Sequence, residues 1–400
     1  MNNCLVTKLK GSSSNADLLK IGEMRIKVNK VDSPNSNTQM LDVYFNKDTT
    51  LSIIGEGYFT DNNLTANKGN TLTAGAKLNV TAYVSNGNFD ISVSDKYSIT
   101  EISKDMNVKN KVVLDIGFFK YSSLLKKIVF NNSQACGNVD DLKNCVNIEY
   151  LVLSNSQVSG KVDELKSLTK LKNLSLYNTQ VSGNVGELKT LTALTNLEAY
   201  NTKISGNVGE LKNLTTLTNL VLNDTLVEGN IGDLKTLTSL QYLSLNNTKV
   251  SGNIDELKTL TKIRMLNISN HNFPVTGDIG ELSTLTQCTD ISLDYSRYTG
   301  DLANLPASCR YISFKNDVGS VFTWSTRPSS AKIIAIEGNA ELTNVDKMLQ
   351  DQAECQVGFT SGSPSWYKSI SVVGNRTSAS DSAITALQNK GYTVSITPKY

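Results

Sequence analysis

VSGNVGELKTLTALTNLEAYNT, residues 181–202, is followed after a single lysine by ISGNVGELKNLTTLTNLVLNDT, residues 204–225. Self-similarity at a fixed spacing marks a stacked-repeat architecture. Anchored on Leu174, steps of 23 residues land on Leu197, Leu220, Leu243 and Leu266, and backward steps on Leu151 and Ile128. A 25-residue step then reaches Ile291, and a 21-residue step reaches Ile312. The unit reads L-x-x-L-x-L-x-x-T-x-V-x-G-x-V-x-x-L-x-x-L, as in Leu171, Leu174, Leu176, Thr179, Val181, Gly183, Val185, Leu188 and Leu191. The L-x-L pair alternates, so both side chains leave one face of a short strand. The glycine column, Gly183 with Gly137, Gly160, Gly206, Gly229, Gly252, Gly277 and Gly300, marks a turn or a close approach of backbone. The L-x-x-L-x-x-L spacing then returns the chain along an irregular or 3₁₀-like edge. One unit cannot bury its apolar edge alone, whereas stacked units bury it against each other.

Over about residues 125–315 this pattern resembles the leucine-rich repeat family. The L-x-G-x-V segment is similar to the plant-type subclass, although these repeats are one residue shorter and lack its proline. The column that the family usually fills with Asn carries Ser133, Ser156, Thr179, Thr202, Thr225, Thr248, His271 and Ser296. A hydroxyl still bonds to neighbouring backbone, so a hydroxyl ladder is expected in place of an amide ladder. The expected fold is mainly β with short helical or 3₁₀ segments. A leucine-rich repeat solenoid at 128–311 follows a small β-sandwich attachment domain at 1–105 and an N-terminal cap at 106–127. Irregular repeats and an α/β cap, strand–helix–strand, complete the chain at 312–400.

The flanks support that division. Alternating runs at 24–28, 41–45, 51–54, 77–84 and 89–93, separated by Asn- and Gly-rich turns, read as strands. Ile116, Phe118 and Phe119 suit a cap over the open end of the repeats. Beyond Ile312, residues 332–336 and 369–373 read as strands, and Ser380 or Asp381 as a helix N-cap with Gly391 as the stop before YTVSI.

Lys plus Arg number 39 and Asp plus Glu 37, which removes the electrostatic argument for nucleic acid or an anionic membrane. No apolar run reaches the length of a membrane span. The opening MNNCLVTKLKGSSSNADLLK has no apolar signal-peptide core, so export by the usual signal route is not expected if this is the natural start. For the same reason the even number of cysteines, 6, is not read as a disulfide framework. Cys145, Cys288 and Cys309 fall in leucine columns and read as buried reduced thiols. Cys4, Cys136 and Cys355 have no such column and no zinc-like spacing.

Catalytic signatures are lacking. The 1 histidine, His271, leaves no partner for metal or Ser-His chemistry and suggests a structural or surface role. No phosphate-binding glycine loop, G-x-S-x-G or H-E-x-x-H occurs. Asp141, Glu164, Glu187, Glu210, Asp233, Glu256 and Glu281 form a carboxylate column, with Lys143, Lys166, Lys189, Lys212, Lys235 and Lys258 two positions on. Such a column could hold Ca²⁺ or serve acid–base chemistry. The matched lysines favour solvated charges offset by adjacent repeats, and identical settings do not make an unlike pair. No catalytic residue, metal site or cofactor is therefore expected.

The x positions of the L-x-L strands face solvent on the concave sheet of such a fold. The candidate ligand-binding residues there are Tyr150, Tyr177, Glu198, Tyr200, Asn223, Tyr242, Asn246 and Asp294. Tyrosine offers stiff contact area with a polar tip, and Asn and Asp offer adaptable hydrogen bonds, a mixture suited to a glycan or a polar protein surface. Equally, these residue types simply clothe an exposed sheet.

The N-terminal run M-N-N-C-L-V-T-K-L-K-G, continued by L-L-K-I-G-E-M-R-I-K, resembles virion structural proteins (fibre or appendage) of Bacteroidales crAss-like phages. The C-terminal S-A-I-T-A-L-Q-N-K-G-Y-T-V is similar to the ends of leucine-rich repeat proteins of the same bacteria. These resemblances imply a non-enzymatic virion protein, assembled in the bacterial host cytoplasm. Residues 1–105 would join other virion proteins, and the repeats would meet a host glycan or protein. A homo-oligomer is compatible, although no heptad run supports a coiled coil. The alternative is a bacterial leucine-rich repeat adhesin or interaction scaffold.

Overall fold

The computed structural model describes residues 112–131, 134–270, 275–295, 297–315, 319–338 and 341–399, and before residue 112 the strands alone. The chain divides into two compact units, Met1–Ile204 and Ser205–Tyr400.

In the first unit the L-x-L segments are strands Lys127–Val129, Tyr150–Val152, Asn173–Ser175 and Asn196–Glu198. They pair in parallel with Ile128 opposite Leu151, Leu151 opposite Leu174, and Leu174 opposite Leu197. Each anchor leucine or isoleucine thus stacks on its counterpart, and all four are fully buried. A second edge carries Ser159–Lys161 and Gln180–Asn184, parallel with Gly160 opposite Val181. The third edge is the 3₁₀ run Val162–Ser167 and its neighbour Val185–Thr190. In a 3₁₀ helix residues three apart eclipse each other, so the spacing of Val185, Leu188, Leu191 and Leu194 sends all four side chains inward, where each is fully buried.

Both strand edges continue upstream. Ile99–Ser103 pairs in parallel with Lys127–Val129, and Leu41–Phe45 joins it antiparallel. Val112–Asp115 pairs in parallel with Gln134–Cys136 and antiparallel with Met24–Val28, which also pairs with Phe89–Val93. β-Pairing therefore joins strands before residue 104 to strands after residue 111. The 3₁₀ turn Ile116–Phe119 is built like a repeat, with Asp115 Oδ1 accepting from the Gly117 amide at 2.9 Å as Asn138 Oδ1 accepts from Asp140 at 2.8 Å. Ile116 and Phe119 are fully buried.

In the second unit the parallel ladder runs through Asn219–Val221, Tyr242–Ser244, Met265–Asn267, Asp290–Ser292, Tyr311–Phe314 and Ala335–Gly338. Ser369–Val373 follows beside Ala335–Gly338, and Thr393–Thr397 beside Ser369–Val373. Two α-helices flank the last strands, α1 (Val345–Glu354) and α2 (Asp381–Asn389). Gln352 on α1 is fully buried and closes a two-way bond with Ile334, accepting from its amide at 2.7 Å and donating to its carbonyl at 3.1 Å. That pairing ties the helix to the backbone of the segment leading into Ala335–Gly338. The strand read at 332–336 is displaced to Ala335–Gly338 because Ile333 and Ile334 bond instead to Gln356 and Gln352.

The glycine column has a definite cause. Gly183 has φ +107°, and an added Cβ would lie 2.3 Å from Asp163 Oδ1 of the preceding repeat. That oxygen accepts from the Asn184 amide at 2.6 Å, so the missing side chain makes room for a bond between repeats.

The expected hydroxyl ladder is corrected. Thr179 donates to its own repeat, to the Leu176 carbonyl at 2.6 Å, and Thr202, Thr225 and Thr248 repeat the bond with Ala199, Leu222 and Leu245. The ladder between repeats is an amide ladder one residue earlier. Asn178 Nδ2 donates to Asn155 Oδ1 at 2.6 Å, Asn201 Nδ2 to Asn178 Oδ1 at 2.7 Å, and Asn247 Nδ2 to Asp224 Oδ1 at 2.9 Å. Asn155, Asn178, Asn201 and Asn247 all have φ between 51° and 55°, a left-handed conformation that Asn tolerates better than most residues. Ser133, His271 and Ser296 lie outside the described residues.

Cys145, Cys288 and Cys309 are free and fully buried, and Cys355 is also free and buried. The reading against disulfides is corrected at Cys136, which is disulfide-bonded. Its partner lies outside the described residues. Burial pushes the Cys145 thiol from 9.0 up to about 11 and the Cys309 thiol up to about 12. An unfolded thiol loses its proton first as pH rises, so alkali favours the unfolded chain. The urea midpoint is expected to hold steady below about pH 8.5 and then fall as pH climbs toward 11. The phenols of half-buried Tyr367 and buried Tyr392, both raised to about 12, act in the same direction. A midpoint constant from pH 8 to pH 11 would contradict this account.

Candidate ligand-binding face

Leucines of each L-x-L strand point inward, so the flanking side chains line the opposite face. In the first unit Tyr150 is 41% exposed. Tyr177 and Tyr200 stack with ring centroids 4.3 Å apart and planes 6° from parallel. Burial, with Tyr177 alongside, raises the Tyr200 phenol above its ordinary value, so it stays a neutral donor. Glu198 accepts from Ser175 Oγ at 3.1 Å, and Ser175 meets Ser154 at 2.8 Å. The serines are buried by that network, which leaves the tyrosines and Glu198 to present the surface.

In the second unit Tyr242 is 38% exposed. Asn223 donates to Asp224 at 2.7 Å, and Asn246 accepts from Ser244 Oγ at 2.9 Å. Asp294 accepts from Ser313 Oγ at 2.5 Å and from the Lys315 amide at 2.7 Å. Its carboxylate therefore holds the next strand and its exit turn as well as lining the face. The eight candidates fall four to each unit, Tyr150, Tyr177, Glu198 and Tyr200 in the first and Asn223, Tyr242, Asn246 and Asp294 in the second.

Of these candidates only Tyr242 lines the depression of about 470 Å³ bounded by Tyr242, Arg264, Met265, Gln287, Thr289, Asp290 and Arg310. Asp290, an outward position on its strand, is only 7% exposed. Tyr367, from the 3₁₀ turn Ser365–Lys368, covers it and donates to Asp290 Oδ1 at 2.5 Å. Arg310 donates to Asp290 Oδ2 at 3.3 Å and lies 4.8 Å from the Tyr367 ring centre. Sequence reasoning missed Arg264 and Arg310. Their signal was available: both occupy the column just before the L-x-L strand, where earlier repeats carry Lys172, Thr195, Thr218 and Gln241.

The carboxylate column is paired as its charge pattern suggests. Glu164 meets Lys143 at 3.5 Å, Glu187 meets Lys166 at 3.2 Å, Glu256 meets Lys235 at 2.7 Å, and Glu281 meets Lys258 at 2.9 Å. Each carboxylate takes a lysine from the preceding repeat, and every partner is well exposed. Among the described residues no cluster of His, Cys, Asp or Glu suits a metal ion. Among the same residues no helix is long and apolar enough to cross a membrane.

No known family profile and no curated protein matches the chain. Solved structures do. The leucine-rich repeat ectodomain of the Arabidopsis thaliana membrane receptor kinase GASSHO1/SCHENGEN3, in complex with Casparian strip integrity factor 2, superposes with a TM-score of 0.52 at 16% identity, over 75% of this chain and 42% of that one. The chain has a leucine-rich repeat fold. A leucine-rich repeat protein of Leptospira interrogans is similar at a TM-score of 0.44 and 16% identity, over 70% of this chain and 74% of its own. An internalin of Listeria monocytogenes gives 0.38 at 18% identity, over 62% and 85%. The chain spans about half the length of the plant receptor ectodomains, 54% of one and 42% of the other. In each unit the outward positions of the strand ladder set polar and aromatic side chains toward solvent.

Proposed function

We propose that this leucine-rich repeat protein is a non-enzymatic interaction protein that presents its strand face to a polar ligand, a glycan or a protein surface of a host bacterium. The stacked pair Tyr177 and Tyr200, with Tyr150 exposed on the same ladder, carries the reading. Flat rings fixed by a parallel sheet lose little freedom on binding and bring large contact area with polar tips. The plant ectodomain bound to Casparian strip integrity factor 2 is compatible with such use of the fold.

In the finer reading the protein belongs to a phage virion. Residues 1–105 join it to other virion proteins, homo-oligomerisation included, and it neither binds nucleic acid nor enters a membrane. That placement rests on the N-terminal resemblance alone. A second reading is a bacterial surface adhesin or interaction scaffold. Immunogold labelling of intact particles separates the two: label on an appendage supports the virion, and label confined to host cells supports the adhesin. For the face itself, the double variant Tyr177→Ala, Tyr200→Ala is expected to weaken binding of the full chain to host cells about tenfold or more. Undiminished binding of the folded variant by flow cytometry would remove the first-unit tyrosines from the ligand site.

A further inference from the structure

The geometry points to the depression of the second unit as a site for a saccharide bearing one carboxylate. This deepens the reading of the strand face as a binding surface, and it names the ligand class and the place.

Charge argues first. Arg264 and Arg310 oppose a single Asp290 in the lining, which leaves one positive charge to be met. A monoanion matches it. An acidic peptide or a phosphomonoester brings more negative charge than the lining offers and sets it beside Asp290. Arg310 is held for the task by Asp290 at 3.3 Å and by the Tyr367 ring at 4.8 Å. Its side chain is 35% exposed, so the guanidinium remains within reach of a ligand in the depression. Arg264 is exposed and has no carboxylate partner among the described residues. The two arginines stand in one column on either side of the Thr289 repeat. Their backbones are thus about 10 Å apart, a span that two long guanidinium side chains can close over one ligand.

The rest of the lining favours a sugar over other carboxylates. Tyr242 offers a half-open ring for the C–H face of a pyranose. Gln287 and Thr289 supply donors and acceptors suited to hydroxyls. The Asp290 carboxylate, already holding Tyr367, accepts from ligand hydroxyls but repels a second anionic group. A volume of about 470 Å³ is that of a small-ligand site.

Titration calorimetry on the full chain tests this with methyl galactopyranosiduronate and sialyllactose, two sources of the same chemistry. The comparison ligands are their neutral counterparts, the galacturonate methyl ester and lactose, and tetraglutamate as the acidic peptide. At least one acidic saccharide is expected to bind, and its neutral counterpart to bind about tenfold or more weakly. Arg264→Ala and Tyr242→Ala are each expected to cost a similar factor while leaving the urea midpoint unchanged, because both side chains are exposed. Binding of neither acidic saccharide, equal binding of the neutral ones, or tighter binding of tetraglutamate overturns the proposal. Tyr177→Ala is expected to leave this affinity intact. Saccharide binding through Arg264 therefore survives a failure of the first-unit tyrosines to bind host cells, and the converse result removes this site alone.

Discussion

Arg327→Ala is expected to destabilise the second unit by on the order of 4 kcal/mol. The side chain is 3% exposed and, among the described residues, pairs with no carboxylate; its guanidinium is capped by backbone carbonyls. Nη1 donates to Leu305 at 2.9 Å and Ala303 at 3.4 Å, Nη2 to Pro306 at 3.0 Å and Cys309 at 3.3 Å, and Nε to Lys332 at 3.1 Å. Burial pulls its pKa down, yet the ring of carbonyl dipoles stands where a counter-ion would. The Arg327 amide also donates to Asp351 on α1 at 3.1 Å, and Asp351 accepts from the Trp324 indole at 2.9 Å. One residue thus joins the turn at 303–309, the approach to Ala335–Gly338 and the helix. Truncation leaves several buried acceptors without donors at about 1–3 kcal/mol each, offset where water enters. Arg327→Lys is expected to recover only a minor part, because a point charge with three donors cannot reproduce the planar fork. Urea denaturation of both variants measures this, and a loss below about 1 kcal/mol for alanine would show that water replaces the fork without penalty.

Gly252→Ala is expected to cost about 2–4 kcal/mol. Its φ is +122°, and the new Cβ would lie 2.1 Å from Asn230 Oδ1. That oxygen accepts from the Gly232 amide at 2.9 Å and caps the 3₁₀ turn Ile231–Thr236. The substitution therefore strains the backbone and displaces a cap in the neighbouring repeat. A double-mutant cycle separates the two. Asn230→Ala alone loses the cap, about 1 kcal/mol, and clears the space. Combined with Gly252→Ala it is expected to give less than the sum of the single losses, by roughly the steric part of the coupling. Strict additivity would mean that backbone strain alone sets the cost, with no part for the contact between repeats.

Much of this was legible along the chain. The columns anchored on Leu174 located the inward-facing strand residues, because a side chain that stacks on its copy every 23 residues must recur at that spacing. Alternation located Met24–Val28, Leu41–Phe45 and Phe89–Val93 for the local reason that strands show two faces. The charge columns were legible for the same reason as the leucines, since Glu256 meets Lys235 one repeat away. Misreadings arose where two adjacent columns compete for one role. Thr179 and Asn178 both repeat, and only the left-handed φ of Asn178 decides which one bonds along the ladder. Helix α1 went unread because its apolar positions, Val345, Met348 and Leu349, gain meaning only from the strand edge that Gln352 reaches.

The sequence by itself determined the repeat, the identity of its buried columns and the pairing of its exposed charges, all of them near-neighbour relations that the period copies from unit to unit. The tertiary structure alone decided which outward positions remain open. Asp290 reads as one more solvent-facing residue, yet Tyr367, 77 positions away, closes over it and turns Arg310 toward the depression. No periodicity carries that information, because the contact joins the repeats to a segment that does not repeat.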